Sequence, residues 1–178
     1  MLLLSLLSDP STTVLFRDRS LPKLLFILFL GMSSFVSGAH ATVDDALSFA
    51  YEAALPYSKQ YAIRKDAWGG DLGVKDRKAM TAQLFKGNDY WFIMASDVKG
   101  SAISVHLYDS AGKLAESESW QKPHDKKRYY TSAGAHIVPK NTGTYFAIVE
   151  VLKSPEERTP WALVYGYKDT KEPKKESK

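Results

Sequence analysis

Cysteine is missing from all 178 residues, and that absence removes disulfide bridges, thiolate metal ligands and cysteine nucleophiles together. Histidine is scarce, with four in the chain, so a histidine metal site would have to gather His106, His124 and His136 from distant segments. Neither Gly-x-Ser-x-Gly nor His-Glu-x-x-His occurs, which removes the best-marked hydrolase signatures. Charge of one sign is also lacking: 24 Lys and Arg stand against 20 Asp and Glu, a formal net charge of +4. A balance this modest gives no reason to expect nucleic acid as a partner. What is present suits a folded domain, since 44% hydrophobic and 12% aromatic residues are ample for a core.

The N-terminus has the order of an export signal. Arg17, Arg19 and Lys23 precede an apolar run from Leu24 to Leu30, and small residues ending in Ala39-His40-Ala41 follow. Charge, apolar core and a small-x-small exit predict a signal peptide over residues 1–41, cleaved after Ala41. The apolar run is too short and too interrupted by Ser and Gly to predict a membrane span. The expected location is the periplasm or the extracellular space, with no membrane span after cleavage.

Residues 42–65 are assigned to an N-terminal helical segment. Thr42 is placed to cap it, Asp44 and Asp45 suit the positive end of the helix dipole, and Pro56 ends the helix near Leu55. Val43, Leu47, Ala50, Tyr51, Ala54 and Leu55 form the expected apolar stripe. Asp66 to Arg77, with Gly69-Gly70 and Gly73, reads as a loop. Short strands with regular turns then fill residues 66–167: Ala79 to Phe85, a central Tyr90 to Ser96 that is apolar on both faces, Ala102 to Tyr108 and Lys113 to Ser119. Gln121 to Arg128 reads as a polar stretch. Tyr129 to Thr131, Ala135 to Val138, Thr144 to Leu152 and Trp161 to Tyr167 complete the series. Ile103, Val105 and Leu107 alternate with Ser104, His106 and Tyr108, and Asp109-Ser110-Ala111-Gly112 supplies a turn. The pattern predicts an all-β, antiparallel jelly-roll or Greek-key sandwich of about eight strands behind an N-terminal α-helix. Lys168 to Lys178, rich in Lys and Glu, is expected to be a disordered tail.

Three runs carry a resemblance: Leu84-Phe85-Lys86-Gly87-Asn88-Asp89-Tyr90-Trp91-Phe92, then Leu107-Tyr108-Asp109-Ser110-Ala111-Gly112-Lys113, then Thr142-Gly143-Thr144-Tyr145-Phe146. Together they resemble the bacterial pre-peptidase C-terminal domains, β-sandwich modules similar to the collagen-binding domains of collagenases. The likeness covers roughly Ala79 to Tyr167. It implies a noncatalytic module that binds substrate or assists secretion, sometimes with calcium. The carboxylates available for calcium, Asp66, Asp71 and Asp76, are spread among Lys65, Lys75, Arg77 and Lys78, whose charges oppose a cation site. No cofactor is therefore expected.

Glu116 and Glu118, two residues apart on one predicted strand, read as a solvated face rather than a paired-carboxylate site, which needs acids across a cleft. His124 beside Asp125 does not make a triad without a nucleophile in reach. The aromatics carry more weight. Trp120, Lys122, Tyr129 and Tyr130 flank the polar stretch and are the predicted binding residues, because rings on a sheet face stack on sugars or peptide prolines. The expectation is an exported binding or accessory module, not an enzyme, with a protein or polysaccharide ligand. The rivals are a small envelope hydrolase using Glu116, His124 and Asp125, and an assembly subunit docking through the helix.

Overall fold

A computed structural model describes residues 41–124 and 129–170. Residues 1–40 of the predicted signal peptide, Asp125 and residues 171–178 of the predicted tail lie outside the described residues, whereas Lys168 and Asp169, expected in the tail, belong to the last strand. The chain forms helix α1 (Val43–Ala54), a 3-10 turn (Leu55–Tyr57), then β1 (Ala62–Leu72), β2 (Arg77–Leu84), β3 (Asn88–Ser96), β4 (Ala102–Tyr108), β5 (Glu118–His124), β6 (Tyr130–Ile137), β7 (Gly143–Lys153) and β8 (Thr159–Asp169). A five-stranded sheet in the order β1-β8-β3-β6-β5 faces a three-stranded sheet in the order β2-β7-β4. All pairs are antiparallel, and β1 with β8, β2 with β7 and β3 with β6 nest as in a jelly roll. The nesting stops short of β4 with β5, because β5 joins β6 at the edge of the larger sheet instead.

The local reason for that departure lies at the end of β4. The Asp109 turn forms as expected, with Asp109 Oδ1 accepting from the Ala111 and Lys113 amides at 3.0 and 2.9 Å and Gly112 at φ 76. The returning chain pairs with β4 only through a Tyr108–Leu114 bridge and the Ala115 N–H to Leu107 O bond of 2.8 Å. The next ladder position is then occupied by a side chain: Glu116 Oε2 accepts from Leu107 N at 2.8 Å. With the ladder ended, the chain crosses to the other sheet. The predicted strand Lys113 to Ser119 is thus corrected to Glu118–His124, which takes in much of the stretch read as a polar loop. Pro123 is tolerated there because β5 is an edge strand with one unpaired side.

Two further expectations are corrected. Gly69 and Gly70 lie within β1, paired with Ala162 and Trp161, and do not mark a loop. A Cβ at Gly69 would fall 2.6 Å from Val43 Cγ1, so the glycine is there for close approach to the start of α1 rather than for a turn. Tyr130–Ile137 form one strand, where two were expected.

β3 is buried along nearly its whole length because it has cover on both sides. Its inner residues Phe92 and Met94 pack with Leu84, Ile103, Leu107, Val149, Trp161 and Leu163 between the sheets. Its outer residues Trp91, Ile93 and Ala95 pack under α1. Thr42 caps that helix by accepting from Asp45 N at 3.1 Å, and Leu55 follows its last residue, just ahead of Pro56, as expected. The buried face is Ala46, Phe49, Ala50, Ala53 and Ala54, whereas Val43 and Leu55 of the expected stripe are 37% and 62% exposed. Alanines let the helix axis approach the sheet, so the small residues decide which face goes in.

Candidate functional site

The end of α1 and the turn after it stand above the β5–β6 edge, and between them runs a groove of about 690 Å³. It is lined by Glu52, Ala53, Leu55, Pro56 and Tyr57 on one side and by Trp120, Lys122, His124, Tyr130 and Ser132 on the other. Alternation along the paired strands puts these residues on one face: Trp120 stands opposite Gly134, Lys122 opposite Ser132 and His124 opposite Tyr130. Tyr130 is only 5% exposed and forms the floor. Its ring stacks on Phe49 at 4.5 Å and on His124 at 4.0 Å, and burial raises its hydroxyl pKa, with the Glu52 carboxylate adding to the effect.

Trp120 is a half-buried wall. Its indole lies directly on Gly134, where an added Cβ would sit 2.6 Å from Nε1, and it is tilted against Trp91 at 6.5 Å. Lys122 is exposed at the rim. Tyr129 is elsewhere: its hydroxyl accepts from the Gly100 amide at 3.1 Å and ties down the β3–β4 connection. The structure therefore gathers Trp120, Lys122 and Tyr130 into one groove and leaves Tyr129 out. Leu55 and Tyr57, absent from the predicted set, supply the opposite wall. The one sign of them in the sequence is a pair of large apolar residues placed around the helix-ending Pro56.

The carboxylates considered for calcium are engaged by arginines. Asp66 meets Arg64 at 2.9 Å, and Arg158 reaches Asp71 at 2.7 Å and Asp76 at 3.6 Å. Hydrogen bonding from Arg158 holds the Asp71 carboxyl below its ordinary pKa. Among the described residues no group of three or more His, Asp or Glu is placed to hold a metal.

Among the described residues each histidine has its own polar partner. His106 Nδ1 meets Glu116 Oε1 at 2.9 Å, so the Glu116 side chain, outside any strand, turns to β4 while Glu118 lies on β5, and the two glutamates share no strand face. His124 Nε2 meets Ser132 Oγ at 2.8 Å in the groove. His136 sits between a hydroxyl and an acid, with Ser117 Oγ 2.6 Å from Nδ1 and Asp89 Oδ1 2.5 Å from Nε2. The other Asp89 oxygen accepts from Tyr61 Oη at 3.0 Å and pairs with Lys168 Nζ at 3.1 Å. Burial pushes the Asp89 carboxyl up, but the hydrogen bonds from Lys168, His136 and Tyr61 together outweigh it and leave the pKa below the ordinary carboxylate value. Sequence reading missed this constellation because its five members, Tyr61, Asp89, Ser117, His136 and Lys168, come from five separate segments. The one available signal is Asp89 itself, a carboxylate at the mouth of a strand that is apolar on both faces.

Compared with known protein families the chain matches none, and no curated protein matches it.

Proposed function

We propose that the chain is an exported binding or accessory module that recognises a protein or polysaccharide of the envelope or extracellular space through the groove between α1 and the β5–β6 edge. One observation carries this reading: Trp120, Lys122 and Tyr130 line a single groove of about 690 Å³. Concave, largely apolar surface with a few convergent polar groups is the usual form of a recognition site. Recognition there is noncatalytic. The resemblance to pre-peptidase C-terminal domains points to the same class, and the charge, apolar core and small-residue exit of residues 1–41 support export.

The test is a tryptophan-fluorescence titration of the full chain with soluble envelope polysaccharides and proline-containing peptides. A saturable change is expected for the parent. Trp120→Ala should weaken affinity by about 30-fold, the size of an interface hot spot of ~2 kcal/mol, and Lys122→Ala by less. Equal affinity in Trp120→Ala, measured by calorimetry because the reporter is gone, would remove the groove from the argument.

A further inference from the structure

The arrangement around His136 does more than knit the sheet together. Ser117 pairs with His136 through the backbone, its N–H donating to His136 O at 2.8 Å, and its hydroxyl also lies within reach of that carbonyl at 3.2 Å. That hydroxyl lies 2.6 Å from His136 Nδ1. Accessibility falls inward along the chain of contacts: Ser117 is exposed, while the His136 and Asp89 side chains are 19% and 10% exposed. We propose that Ser117 is a nucleophile served by His136 as base and by Asp89 as positioning residue, forming an acyl-transfer site for small carboxylic esters. The proposal goes beyond the binding groove and does not depend on it.

The hydrogen bonds dictate where the protons stand. Tyr61 and Lys168 serve Asp89 Oδ2, which leaves Oδ1 facing His136 Nε2. An ionised carboxylate can only accept, so Nε2 carries the hydrogen, and in the neutral ring Nδ1 then holds a lone pair directed at the Ser117 hydroxyl. An exposed hydroxyl, a base within hydrogen-bond reach and an acid fixing the base's tautomer are the functional elements of a serine nucleophile, whichever ring nitrogen faces the serine. Ser117 also lines a cavity of about 530 Å³ together with Glu116, Ile137, Lys140 and Tyr145, which has room for a small ester.

In the first step Ser117 Oγ bonds to the acyl carbon while its proton passes to Nδ1. The bond from that carbon to the alcohol oxygen then breaks, and the departing oxygen takes the proton from Nδ1. In the second step water bonds to the acyl carbon and gives a proton to Nδ1. The Ser117 ester bond breaks, and Oγ recovers that proton. The sum is ester plus water to carboxylic acid plus alcohol, with the serine and the neutral imidazole restored.

The experiment uses the full chain, p-nitrophenyl acetate as substrate and a fluorophosphonate as covalent probe. A single adduct mapping to Ser117 is expected, and turnover should drop by about 100-fold in Ser117→Ala, a surface change that leaves the core untouched. Asp89→Asn should lower kcat with KM unchanged when rates are normalised to the folded fraction. A merely structural role for Asp89 would instead change only that fraction. An adduct on another residue, no adduct at all, or equal turnover in Ser117→Ala overturns the proposal.

Discussion

Asp89 and Asp97 stand at opposite ends of β3, one inside the strand's first turn of pairing and one just past its last residue. Both are largely withdrawn from water, yet their carboxyls shift in opposite directions. Asp89 is met by Lys168 from β8, His136 from β6 and Tyr61 from the segment before β1, and its pKa is lowered despite burial. Asp97 is raised, chiefly by burial, with its own and the Thr42 backbone amides opposing and the Asp45 and Glu156 carboxylates adding to the rise. Its Oδ1 is buried without a hydrogen-bond partner among the described residues. Burial penalises a charge wherever it occurs, and the donors delivered by neighbouring strands decide whether the charge survives. β3 is central, so each end is flanked by β6 and β8, and among the described residues only at the Asp89 end do those strands present donors to the carboxylate.

The sharpest way to break the comparison is Asp89→Ala. It leaves Lys168, His136 and Tyr61 facing a gap, and a cost of about 3 kcal/mol is expected, in the range for stripping one partner from a buried ion pair, read as a lower urea midpoint at pH 7. A cost below ~1 kcal/mol would mean water replaces the carboxylate and the two ends are not different in kind.

Lowering the pH should make the two ends diverge. A depressed folded pKa means that the Asp89 contribution is complete above the unfolded value of about 3.9 and is lost as pH falls through the lower folded value. A raised folded pKa means that the Asp97 term is most favourable below about 3.9 and is lost as pH rises through its folded value. Urea midpoints of the parent and Asp89→Asn should therefore converge only below about pH 4, whereas any deficit of the parent relative to Asp97→Asn should shrink on acidification from pH 7. Parallel curves for the two variants would sink the contrast. At pH 7 itself Asp97→Asn should hold stability within about 0.5 kcal/mol of the parent or raise it, because it removes a poorly served charge. A larger loss would show that Asp97 organises the start of α1 more than its unmet oxygen suggests.

These two ends were legible in the sequence to different degrees, and the reason is range. The alternation of Ile103, Val105 and Leu107 and the turn at Asp109 to Gly112 depend on neighbours in the chain, and both formed as read. β3 was recognised as central because two apolar faces require two layers of cover. β5 was misplaced because Glu118 to His124 is an exposed edge without alternation, and its extent follows from pairing with β6. Gly69 and Gly70 of β1 were read as part of a loop, although Gly69 marks a close approach of Val43, as Gly134 of β6 does of Trp120. Ser117, His136 and Asp89 are separated by 19 and 47 residues along the chain. They meet only because β6 pairs with both β3 and β5 in the registers that place Tyr90 opposite Ile137 and Glu118 opposite His136, information no local pattern carries.

The smallest expected effect refines the comparison from the donor side. Lys168 Nζ lies 3.1 Å from Asp89 Oδ2 with its side chain 35% exposed, and 4.5 Å from the centre of the Tyr61 ring. Lys168→Met keeps the apolar stem beside Tyr61 and removes the charge alone. Solvent screens a partly exposed ammonium, so the loss should be about 0.5 kcal/mol and should shrink further in 1 M salt, where the Debye length is about 3 Å. Tyr61 and His136 would still serve Asp89 in that variant. A loss approaching that of Asp89→Ala would mean that the lysine, and not the combined set of donors, keeps this end of β3 charged.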